Sequence, residues 1–141
     1  MGVINVKTDL VRPTQDYLVQ STIDFYLRSL RSKKPLPPVP ALASLCYDGR
    51  YDVLDGHHNL AVAHAHTRDV VLWVPESPRD FMPYSMFPEI NPQHIDTCNQ
   101  QIQRRFTMAP FYVPSDHSAN DILTIDALIS HAGVKLSLDR R

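Results

Sequence analysis

Tyr51-Asp52-Val53-Leu54-Asp55-Gly56-His57-His58-Asn59-Leu60-Ala61-Val62-Ala63 changes character in its middle. Up to Leu54 the residues suit a strand, and from Leu60 onward alanine suits a helix lying close to a sheet. The stretch therefore predicts a strand ending near Leu54, a loop over residues 55–59, and a helix opening near His58 or Asn59 and running to His66. Backbone N–H groups at a helix start lack intrahelical partners and carry partial positive charge, which suits phosphate. Gly56 permits close backbone approach or an unusual φ. His57 and His58 can donate to phosphate oxygens or move protons near neutral pH. Asp55 can hold a divalent cation such as Mg²⁺, orient a histidine, or act as a general base. The plainer reading makes both histidines structural turn residues and Asn59 a helix cap.

The flanking sequence builds outward from this unit. Val3, Ile4 and Val6 suggest an opening strand that ends before Arg12-Pro13. Ser21 and Asp24 form a helix-start signal, followed by Ile23, Leu27 and Leu30 at helical spacing, so residues 22–32 form an amphipathic helix. Lys33-Lys34-Pro35 stops it. Four prolines between 35 and 40 lead into a strand around residues 39–45, which must lie at a sheet edge or begin late because proline donates no ladder bond. Asp48-Gly49 is a two-residue hairpin turn joining residues 45–47 to 50–54. Residues 70–74, Val-Val-Leu-Trp-Val, form a buried strand, with Trp73 as core filler rather than a base-stacking surface.

Beyond Pro75 the signals change. Residues 75–92 hold five prolines with Phe81, Met82, Tyr84, Met86 and Phe87, an irregular segment expected to pack onto the core. Asn91-Pro92 opens a helix whose stripe is Ile95, Cys98, Ile102 and Phe106. A last helix spans residues 121–132, with Ile122, Ile125 and Ile129 on one face and Gly133 as its stop. The fold class is α+β: a small mixed sheet with packed helices and a mostly helical C-terminal portion. The 141 residues suit one domain, with a core over about residues 3–75 and a helical extension over about 90–141.

Composition narrows the partners. A net charge of −1 provides no global attraction for DNA, although Lys7, Arg12, Arg28, Arg31, Lys33 and Lys34 outnumber the acids of the first forty residues. No apolar run approaches the roughly 18 residues of a membrane span, and the first ten residues lack a secretory pattern, so a cytoplasmic protein is expected. Cys46 and Cys98 form no C-x-x-C pair and read as two buried thiols. Among the clustered histidines, His57 and His64 lie about 10 Å apart by helical rise, too far to share one ion. Asp116-His117-Ser118 is a polar loop, because no nucleophile elbow accompanies it.

The motif over residues 51–63 resembles the central motif of the ParB/sulfiredoxin superfamily, in which an apolar strand is followed by D-G-H-H-R, G-C-H-R or G-E-R-R and then an alanine-rich helix. Arg12-Pro13-Thr14-Gln15 resembles the R-P-T-Q near the start of some ParB-like nucleases. The resemblance implies ATP or another nucleotide, with Mg²⁺, bound at the motif loop. Gly56, His57, His58 and Asn59 would lie on the phosphates, Arg12, Thr14 and Gln15 would line the site, and Asp55, His57 and His58 would be catalytic. It implies phosphotransfer to a small-molecule substrate, as in free-serine kinases, or phosphate-ester hydrolysis. The alternatives are a binding-only module that has lost catalysis and a nuclease acting on DNA, which the net charge disfavours. Two departures bear on this. His57 stands where sulfiredoxins carry their cysteine, which argues against sulfinic acid reduction. Asn59 stands where the His-His branch has arginine, which removes a charged phosphate grip.

Overall fold

The structure, a computed structural model, describes residues 2–43, 49–107 and 124–138. Five strands form one mixed sheet: β1 (Gly2–Lys7), β2 (Val11–Arg12), β3 (Val39–Ala43), β4 (Tyr51–Val53) and β5 (Asp69–Val74). Their order is β1-β5-β3-β4-β2. The β1–β5 and β3–β4 pairs are antiparallel, and the β5–β3 and β4–β2 pairs are parallel. The α+β class is as expected from the sequence.

The sheet has to curl. β1 and β2 occupy opposite edges, yet only the 3-10 turn Thr8–Leu10 joins them. Edge strands of a flat five-stranded sheet stand about 19 Å apart. The chain from Lys7 to Val11 can reach at most roughly 14 Å. Curling brings the Arg12–Gln15 end of this connection against the far side of the sheet, beside β4.

Alternation along the strands separates two cores. Val39, Ala41, Val53, Val70 and Leu72 face a cluster completed by helices α1 (Gln20–Arg31), α2 (His57–His66) and α4 (Ile125–Ala132). Leu42, Leu54 and Trp73 face the other cluster, with Met82, Phe87 and the α3 (Pro92–Thr107) residues Ile95, Cys98 and Ile102. Trp73 meets Phe87 edge to face, with centroids 5.9 Å apart, and both are fully buried, so Trp73 belongs to the core. The two helices of the C-terminal portion thus supply core residues to both faces of the sheet.

Several expectations need correction. Of the two placements expected for β3, the late start holds and the edge does not: it begins at Val39, after Pro35, Pro37 and Pro38, and is the central strand. Pro40 lacks an N–H, but its carbonyl accepts from Leu54 N–H at 2.8 Å. α1 starts at Gln20 with Val19 as its N-cap and no side-chain cap, so Ser21 does not play that part. Of the large residues in 75–92, Met82 and Phe87 are buried while Phe81 and Tyr84 stay exposed. Asn91 caps α3 as expected, its Oδ1 accepting from Gln93 N–H at 2.8 Å. α4 is capped by Thr124, and Gly133 ends it at φ +69. Cys98 is a buried thiol that donates to the Leu54 carbonyl. Cys46, Asp48, Ile122, the strand expected over residues 45–47 and the Asp116-His117-Ser118 loop lie outside the described residues. Among the described residues, no helix is long and apolar enough to cross a membrane.

Candidate functional site

β4 ends at Val53 and α2 begins at His57, one residue earlier than the sequence suggests, so the motif forms a strand, a three-residue turn and a helix. Gly56 is the N-cap at φ +92, in the left-handed region. A Cβ there would meet Val39 Cγ1 at 3.5 Å, an ordinary contact, so the backbone angle is what favours glycine. The N-cap offers no side-chain hydrogen bond to the first turn. Asp55 turns back on the loop, and its Oδ1 accepts from Gly56 N–H at 2.6 Å.

Starting the helix at His57 sends the next three side chains in different directions, because each residue turns about 100° around the axis. His57 is buried at 2% exposure, and its Nε2 accepts from Thr14 N–H at 2.9 Å. Thr14 Oγ1 donates to the Val53 carbonyl at 2.7 Å. His58 is half-buried, and its Nε2 accepts from Val19 N–H at 2.9 Å. Loss of water around this ring lowers its pKa below the usual histidine value, which favours the neutral form that can accept that bond. Asn59 is buried and points away from the loop, donating through Nδ2 to the Pro37 carbonyl at 2.7 Å. Arg12 lies on β2, where its Nε donates to Oδ1 of the fully buried Asp52 at 2.7 Å.

Asp55 opens onto a cleft made of two adjoining hollows of about 270 and 150 Å³. Gln15, Tyr17, Asp55 and His94 line both, while Gly56, His58 and Glu89 line the larger one. Of the residues singled out in the sequence, the fold brings Asp55, Gly56, His58 and Gln15 together here. Arg12, Thr14, His57 and Asn59 are not among the lining residues of either hollow.

The cleft is acidic. Asp55 Oδ2 lies 3.9 Å from His94 Nδ1. Burial raises the pKa of Glu89, and the negative charge of Asp55 raises it further. Tyr26, on the wall, is pushed up to about 12 by burial and then by the charges of Glu89 and Asp55, so it remains a neutral hydroxyl. No Lys or Arg occurs among the lining residues of either hollow. Sequence reading missed Glu89, His94 and Tyr17. Glu89 and His94 carry no local signal, whereas Tyr17 lies two residues beyond Gln15 of the R-P-T-Q stretch.

A second polar cluster lies at the other end of α2. His64 Nδ1 is 2.7 Å from Thr8 Oγ1, and its Nε2 is 2.7 Å from Asp126 Oδ1. Asp9, His64 and Asp126 hold ligand-type atoms within 4.8 Å of one another. The Arg68 guanidinium, 2.8 Å from His64 Nε2, already supplies positive charge there. The cluster is a polar clasp between the 3-10 turn, α2 and α4.

Comparison with known proteins adds a fold and no activity. No family model matches the chain. No curated protein matches it. Among solved structures, the protein Atu1540 from Agrobacterium tumefaciens is similar at 16% identity with a TM-score of 0.53, over 91% of this chain. The chain matches 61% of that protein, less than two thirds of its length. The likeness supports the α+β architecture.

Proposed function

We propose that the Asp55 cleft binds the phosphate end of a nucleotide together with a divalent cation and carries out phosphate-ester chemistry, either transfer to a small hydroxyl substrate or hydrolysis. The observation that carries this reading is the position of Asp55. It sits at the uncapped start of α2, in one cleft with Glu89 and His94. A helix start presents N–H donors and a positive end equivalent to roughly half a charge. That alone would not hold a phosphate against two carboxylates. The hard oxygen donors of Asp55 and Glu89 fit Mg²⁺, whose charge when bound would offset both the carboxylates and a phosphate. Such a cation also requires Glu89 to be ionised, so affinity should rise with pH as the Glu89 carboxyl loses its proton.

Within this reading, Asp55 and Glu89 position the cation, the first α2 amides hold phosphate oxygens, and His94 beside Asp55 is placed to receive or return a proton. A ParB/sulfiredoxin-like relationship agrees with this assignment at Asp55 and Gly56. A binding-only module is favoured by one observation: the Nε2 of His57, one of three candidate catalytic groups, is engaged by Thr14.

The test combines thermal shift with turnover assays, using ATP, ADP, CTP and GTP with and without Mg²⁺. Nucleotide and Mg²⁺ together should raise Tm while either alone does not; saturation at a hundredfold over Kd corresponds to about 2.7 kcal/mol. Asp55→Ala should lose that stabilisation yet keep its own stability within about 1 kcal/mol. The bond to Gly56 N–H and the contact with His94 are lost, and relief of repulsion with Glu89 offsets part of that loss. Turnover that disappears in Asp55→Ala supports the enzyme, and binding without turnover supports the binding-only module. No stabilisation by any nucleotide with Mg²⁺ would reject the reading.

A further inference from the structure

Tyr17 is 55% exposed although it lines both hollows around Asp55. Exposure alone is ordinary, since Phe81 and Tyr84 are as open to water; Tyr17 differs in lining both hollows beside Asp55. The backbone that carries it is pinned at three places. Thr14 N–H is held by His57 Nε2, and Thr14 Oγ1 holds the Val53 carbonyl. Gln15, 8% exposed, donates from Nε2 to the carbonyl of Tyr17 itself at 2.8 Å. Val19 N–H is held by His58 Nε2. The two histidines of the motif therefore grip both ends of the segment that presents the ring.

We propose that Tyr17 is the stacking platform for the aromatic base of the ligand, and that His57 and His58 are positioning residues that hold this platform at a set distance from Asp55. The inference rests on the function proposed above and adds the group that distinguishes a nucleotide from a simple sugar phosphate. A ring face accepts any base, so the platform confers affinity for nucleotides as a class rather than for one base. Pre-organisation by the two clasps lowers the ordering cost on binding.

The test compares Tyr17→Ala and Tyr17→Phe with the wild type, using ATP, CTP and ribose 5-phosphate as probes, each with Mg²⁺, by calorimetry. The exposed position means that neither variant should shift Tm in the absence of ligand. Tyr17→Ala should weaken ATP and CTP by roughly five- to 150-fold, the range of one base–aromatic stack. Ribose 5-phosphate, which has no base, should keep its affinity. Tyr17→Phe should restore nucleotide binding to near the wild-type value. If Tyr17→Ala leaves ATP and CTP unchanged, or weakens ribose 5-phosphate as much as the nucleotides, the platform is refuted while the phosphate site stands. If none of the three probes binds the wild type, the proposed function falls and this inference falls with it.

Discussion

Asn59 shows how much one side chain's direction matters. Read along the chain, it occupies the place of a phosphate-binding arginine, so Asn59→Arg looks like a gain of affinity. In the fold its amide is 2% exposed and donates to the Pro37 carbonyl, between α2 and the proline-rich entry to β3. An arginine there would give up the bond to the Pro37 carbonyl and extend into the hollow of about 300 Å³ that Asn59 lines with Pro37 and Asp69, away from the Asp55 cleft. Stability should therefore fall by about 1 kcal/mol or more, with no gain in phosphate affinity. Urea denaturation of the variant checks the first point and phosphate titration the second. A stable Asn59→Arg protein with tighter phosphate binding would show that the side chain can reach the cleft.

At the scale of an element, residues 14–19 behave as a strap fastened by α2. The strap has little backbone pairing of its own, so its order depends on side-chain clasps, among them the two ring nitrogens that accept from Thr14 and Val19. His58 is the pH-sensitive fastening. Burial lowers its pKa in the folded chain below 6.5, so its contribution to stability is complete above that value. As the pH falls, the unfolded chain takes up the proton first, and the contribution is lost on descent through the folded pKa. Protonated His58 cannot accept from Val19. Hydrogen exchange of the Val19 amide, corrected for its intrinsic rate, should keep its protection at neutral pH and lose it only as the pH falls below the usual histidine value. In His58→Asn that pH dependence should vanish; its persistence would mean another group controls the strap.

At the scale of the whole molecule, one sheet joins two cores. Ile23 lies in the core with α1, α2 and α4, and Ile102 lies in the core with α3; both are fully buried. Truncation of a buried isoleucine costs about 2–5 kcal/mol. Because Leu42 and Trp73 share strands with Ala41 and Leu72, neither core can open without disturbing the other's strands. Ile23→Ala and Ile102→Ala should each lower the midpoint of one common transition, followed by far-UV circular dichroism and by Trp73 fluorescence. Separate transitions for the two probes in Ile102→Ala would instead make the α3 side an independent unit.

What the sequence determined by itself was local. The change from strand residues to alanine around Gly56, the capping pair Asn91-Pro92 and the helical stripes of α1 and α3 fixed the order and kind of those elements, because period and capping act over a few residues. The central position of β3, the curl of the sheet and the cleft were decided only by tertiary structure. β3 became central because β5 and β4 flank it, pairings that no local preference encodes. The candidate site divides along the same line. Asp55 and Gly56 were legible because a strand-to-helix turn needs a residue tolerant of positive φ. His57, His58 and Asn59 were not legible as separate contacts, since consecutive helical residues point about 100° apart and their partners Thr14, Val19 and Pro37 lie far along the chain. Glu89, His94 and Tyr17 reach Asp55 from 34, 39 and 38 positions away. Only the packing of α3, the segment that leads into it and the strap against the loop after β4 could bring them there.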